Sequence, residues 1–225
     1  YDNKGNKMVS EDGTHSAAGN QISAYTKYVY NSRDWLTDEY KAITPEAISN
    51  IEQASVTDKL HIAYTYDKTG RPITRVQYAT AAKDQYIKQT TQYDSFGRTS
   101  AVTNGVYQLQ QEVIGGQPVT REIPQSMSEV VSEYYGAGSC VKYEKKFTGE
   151  YTPAGQKKYQ VTTYGEYDHR QRPTKISQPF RVGGQDIMKI TRMSYDKKGN
   201  LSETKQTRHK LNDEGDTLVA EETVT

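Results

Sequence analysis

Four histidines, one cysteine and two acidic loops are the side chains of this 225-residue chain that could carry chemistry. A metal site needs imidazoles or thiolates at short spacings. His15, His61, His169 and His209 each stand without a second His or a Cys at such a spacing, which fits surface or turn roles. Cys140 lies beside Ser139 and glycines, and neither a Gly-x-Ser-x-Gly elbow nor a cysteine-enzyme signature surrounds it. Asp2-Asn3-Lys4-Gly5-Asn6 has Glu11 six residues past its glycine, as a calcium loop does, but Lys4 and Lys7 break the alternation of acidic ligands. Asn212-Asp213-Glu214-Gly215-Asp216 is a similar stretch, and turn chemistry accounts for both. No glycine-rich loop leads from a strand into a helix, so phosphate binding has no support. The residues therefore predict no catalytic group, no cofactor and no metal ligand. What remains is aromatic. Among the 19 tyrosines, Tyr64, Tyr66, Tyr78 and Tyr93 are candidate positions for stacking on a sugar ring or a partner's side chain. Packing of a core-poor sheet is their competing role.

The elements that must position these residues are hairpins. In Ile62 to Tyr78, two runs rich in Tyr, Ile, Val and Thr flank Asp67-Lys68-Thr69-Gly70. Asp suits the first position of a type I turn and Gly the last, where φ is positive. A three-residue loop closed by a left-handed glycine and a G1 bulge follows. Alternation then predicts Asp67 opposite Arg71, Tyr66 opposite Pro72 and Tyr64 opposite Thr74. One face would carry Ile62, Tyr64, Tyr66, Pro72, Thr74, Val76 and Tyr78 together.

The pattern recurs. Tyr93-Asp94-Ser95-Phe96-Gly97-Arg98 follows 27 residues after the first copy. Tyr195-Asp196-Lys197-Lys198-Gly199-Asn200 repeats it, and Tyr1-Asp2-Asn3-Lys4-Gly5-Asn6 opens the chain with it. Tyr167-Asp168-His169-Arg170-Gln171-Arg172-Pro173 has Gln171 in place of the glycine. Weaker copies begin at Tyr30, Tyr151 and Leu211, and in the first of them Asn31 and Asp34 replace Asp and Gly. Tyr-Asp-x-x-Gly-Arg/Asn at this spacing resembles the YD repeats of the RHS/YD-repeat family of bacterial surface and secreted proteins. The resemblance implies antiparallel β architecture in a secreted or cell-surface setting, with a signal peptide removed ahead of Tyr1. It implies a small member without a toxin domain, and it brings no catalytic residues.

Composition agrees with a thin core. Leu, Ile, Val and Phe make up only 36 residues, so tyrosine must supply much of the apolar area. The net charge of +1 gives no general argument for nucleic acid, and no apolar run is long enough for a membrane helix. Turn signals every 14–17 residues beyond Val141 predict an all-β antiparallel meander of 12–14 strands. The meander reads as one domain over 1–225. One large twisted sheet, curled or not, is preferred to a sandwich. Thr44-Pro45-Glu46 and the stripe Ala47, Ile48, Ile51 and Ala54 predict one short helix near 45–55, inserted at 44–56. The expected function is a non-enzymatic structural or interaction module, its partner a polysaccharide or another cell-surface protein. The alternative is a carbohydrate-binding module that uses tyrosines on one sheet face.

Overall fold

The computed structural model describes residues 1–15, 21–42, 59–79, 83–211 and 217–224. Its strands are β1 (Val9–His15), β2 (Gln21–Tyr30), β3 (Leu36–Ala42), β4 (Lys59–Tyr66), β5 (Pro72–Tyr78), β6 (Gln85–Tyr93) and β7 (Thr99–Ile114). They continue as β8 (Gln117–Tyr134), β9 (Val141–Tyr151), β10 (Lys157–Tyr167), β11 (Pro173–Val182), β12 (Gln185–Tyr195), β13 (Leu201–Leu211) and β14 (Thr217–Val224). The sheet order is the chain order, β1 to β14, so this is an all-β meander in one sheet. Every registered pair is antiparallel. The helix expected near 45–55 lies outside the described residues. The fold groups its residues into two compact units, 1–91 with 103–127 and 92–102 with 128–225.

Each Tyr-Asp hairpin is built as its sequence dictates. Asp67 N–H donates to Arg71 O at 2.9 Å and Gly70 N–H donates to Asp67 O at 3.2 Å. Gly70 has φ 87°, the left-handed corner that lets the chain reverse. The Asp carboxylate holds the turn from inside. Its Oδ1 accepts from the N–H groups of Thr69 (2.8 Å) and Arg71 (3.0 Å), and its Oδ2 from Arg71 Nε (2.6 Å). That is why Arg or Asn follows the glycine: either side chain can donate back to the Asp. Asp94–Arg98, Asp168–Arg172 and Asp196–Asn200 repeat the arrangement. Asp34 (φ 60°) and Gln171 (φ 61°) occupy the glycine position in their copies. At the other strand ends, Gly115-Gly116 and Gly183-Gly184 make two-residue loops with both φ positive, the type I′ geometry whose twist matches a hairpin.

One register expectation fails. Tyr66 does pair with Pro72, but Thr65 pairs with Thr74, so Tyr64 faces Arg75 rather than Thr74. Ile73 is an extra residue in the second strand. The same slip follows the turn between β2 and β3, between β8 and β9, and between β12 and β13. A second bulge thus sits two residues beyond the G1 bulge, reversing the alternation of the outgoing strand. Simple period-two counting cannot foresee it.

Within each unit the hairpins are joined by their tyrosines. Tyr30 OH donates to Lys7 O at 3.0 Å and Tyr66 OH to Leu36 O at 2.7 Å. In the other unit, Tyr134 OH donates to Thr99 O at 2.8 Å, Tyr167 OH to Val141 O at 2.6 Å and Tyr195 OH to Pro173 O at 3.0 Å. The accepting carbonyl follows the preceding turn's last residue by two positions, or by three at Val141 after a longer loop. Arginines stitch turn to turn as well: Arg172 Nη1 donates to Gly199 O at 2.7 Å, and Arg98 Nη1 to Gly136 and Gly138 O. The core is correspondingly small. Among the described residues the buried hydrophobics are Ile62, Tyr86, Ala101 and Phe147.

Candidate functional site

The bulge at Ile73 decides where the candidate tyrosines fall. Tyr64 and Tyr66 share a face of β4, whereas Tyr78 pairs with His61 on the opposite face. Tyr64 OH donates to Glu39 at 3.0 Å and Tyr66 OH to Leu36 O. Desolvation raises both phenols above their ordinary range, with the Glu39 hydrogen bond adding to the effect at Tyr64. Tyr78 stands in a ring ladder across β3 to β7, Tyr40–His61–Tyr78–Tyr86–Tyr107, with centroid separations of 4.3, 5.0, 6.0 and 5.8 Å. Tyr40, His61 and Tyr78 stack face to face, Tyr86 is tilted by 59° to Tyr78, and Tyr107 stacks on Tyr86. Tyr93 is half-buried and belongs to the second unit. Within the first unit, the fold therefore does not assemble Tyr64, Tyr66 and Tyr78 into one platform.

The other chemistry-bearing residues are spent on structure. His61 is buried between Tyr40 and Tyr78, with Nε2 2.8 Å from Asp38 Oδ1. His209 Nε2 lies 3.1 Å from Thr207 Oγ1, and His169 is exposed in its turn. Asp2 uses Oδ1 for the N–H groups of Lys4 and Asn6 and Oδ2 for Asn6 Nδ2, as a turn aspartate does. Cys140 is a half-buried free thiol. Among the described residues no group of three His, Cys, Asp or Glu converges as a metal set. The side chain of His15 and the stretch Asn212–Asp216 lie outside what the structure describes.

A groove of about 550 Å³ opens on one face of the second unit, across β8 to β13. Alternation places every second residue there, and the register aligns them in rows. Glu144 is paired with Thr162, Gln178 with Lys189, and Lys189 with Arg208. Gln178 Nε2 bridges the intervening strands with a long 3.4 Å bond to Thr162 Oγ1. A second row runs beside it from Val130 through Lys146 to Gln160, whose Nε2 donates to Pro179 O at 3.0 Å. Phe180 supplies an apolar patch to the lining. Both amides keep Oε1 without a partner among the described residues, as do the charged heads of Lys146 and Lys189. Glu144 instead accepts from Tyr164 OH at 2.9 Å. Burial first, and that bond second, push the Tyr164 phenol up to about 12, so it stays a neutral donor. The sequence hid this groove because its residues lie on six strands and belong to no motif.

No family model matches the chain, and no curated protein matches it. Among solved structures it is similar to a porin-like protein from Bacteroides uniformis ATCC 8492, at 10% identity over 96% of this chain and 95% of that one. The TM-score of 0.24 is too low for that likeness to carry an argument. No helix among the described residues is long and apolar enough to cross a membrane.

Proposed function

We propose that this chain is a non-enzymatic β-repeat module of the YD-repeat kind, secreted or displayed on a bacterial cell surface, whose role is to hold a partner along its sheet. The groove of the second unit carries this reading. Its side chains are hydrogen-bonding and cationic groups spread over several strands, an arrangement suited to holding an extended ligand. The motif residues support it from the other side, because Tyr, Asp, Gly and Arg are consumed by turns and latches. Residues between motifs are left free to recognise something. A sugar-binding role draws its support from this groove rather than from Tyr64 and Tyr66, whose face of β4 is opposite to that of Tyr78.

Two measurements test the proposal. External protease or antibody on intact cells should reach the protein; full protection in intact cells with digestion after lysis would overturn the surface assignment. Immobilised protein offered a panel of polysaccharides and surface-protein fractions should retain one of them. Retention of none would leave only a structural role.

A further inference from the structure

Resting on that interaction-module reading, we propose that the groove binds an acidic polysaccharide, with Lys146 and Lys189 pairing its carboxylates and Gln160 and Gln178 reading its hydroxyls. The rows run across the strands. Four strand intervals separate Glu144 from Arg208, roughly 19 Å, so an extended polymer lying over them meets a fresh polar side chain at each strand. The cations sit at separated points, Lys146 on β9 and Lys189 on β12, as a repeating anion requires. Neither makes an ion pair with a described residue, whereas Lys142, Lys157 and Lys158 are paired with Glu133, Glu129 and Glu150. Arg208 stands at the far end of the row, in register with Lys189. Glu144 is engaged by Tyr164 and subtracts less than a free carboxylate would.

The same observations disfavour a nucleic acid. Single-stranded binders combine a continuous basic track with a series of aromatic platforms. Here the lining offers one aromatic ring, Phe180, and the amides of Gln160 and Gln178 stand between Lys146 and Lys189.

Affinity electrophoresis and calorimetry at low salt, with polygalacturonate as the probe, test the assignment. Wild type should bind it, and bind the fully methyl-esterified polymer and oligo-thymidylate more weakly. The double variant Lys146→Gln/Lys189→Gln should lose about tenfold in affinity, the order that two exposed ion pairs supply together. A charge-matched control on the opposite face, Lys145→Gln/Lys205→Gln, should lose less than about threefold. Thermal melts of both doubles establish that they are folded. Equal losses in the two doubles would reduce the binding to general charge and overturn the site. Equal binding of the esterified polymer, tighter binding of oligo-thymidylate, or no binding of polygalacturonate would overturn the ligand class. Retention of a neutral glycan in the wider panel would then still uphold the interaction module, so the two readings fail separately.

Discussion

At the scale of single residues, the turn is where sequence and conformation are tied most tightly. Gly5 and Gly70 both have φ near 86–87°, yet their surroundings differ. A Cβ on Gly5 would meet nothing within 4 Å, while one on Gly70 would come within 2.9 Å of the Trp35 ring. Gly5→Ala should therefore cost only the left-handed penalty of about 1–2 kcal/mol. Gly70→Ala should cost more, and equal costs in denaturant melts would mean that the Trp35 contact is absent in solution. Gln171 bears the same penalty already, so Gln171→Gly should raise the denaturation midpoint, and a lowered midpoint would show that the Ser139 hydroxyl donating to its Oε1 outweighs the backbone strain. Asp168 is one of the turn aspartates, with Asp67, Asp94 and Asp196, whose carboxyls are held below their ordinary range and contribute to the pH dependence. Donation from the Arg172 side chain, then from its backbone N–H, lowers the Asp168 carboxyl from 3.8 to about 2. Because the folded value is depressed, its stabilisation is present above 3.8 and is lost as pH falls through about 2. Asp168→Asn should flatten the acid limb of the melting-temperature profile in that window, and an unchanged limb would show that other carboxylates dominate.

At the scale of elements, the latch tyrosines separate structural from decorative hydroxyls. Tyr66→Phe removes a 2.7 Å bond to Leu36 O and should cost about 0.5–1.5 kcal/mol. Tyr25→Phe removes an exposed 3.2 Å bond to Glu11 and should cost under about 0.5 kcal/mol. Chemical denaturation of the pair checks the difference, and equal effects would dispose of the latch. The same tyrosines show what could be read in advance. The Asp-Gly turns and the meander follow from local residue chemistry, whereas the left-handed conformation of Gln171 is seen in the structure. Faces do not, because the extra residue at Ile73 has no sequence marker and one slipped residue moves Tyr78 to the opposite side. The turn after Tyr134 carries no Tyr-Asp motif, since Tyr135 stands where Asp is expected. The groove was not legible at all: Lys146, Gln178 and Lys189 acquire a common role only when their strands lie side by side.

For the whole molecule, the small core has a calorimetric consequence. The described residues include no side chain below 2% exposure, and their buried hydrophobics are Ile62, Tyr86, Ala101 and Phe147. Unfolding then uncovers little fresh apolar surface and a good deal of polar surface, and these two contributions to heat capacity have opposite signs. The heat-capacity increment should fall below the usual 12–15 cal/mol/K per residue, roughly 3 kcal/mol/K for a chain of this length. Scanning calorimetry over a series of melting temperatures measures it directly, and a value at or above that figure would mean a larger buried interior than the fold displays. A low increment flattens the dependence of stability on temperature. Such a protein gives up little stability in the cold, and its margin at the peak of the curve is modest but broad.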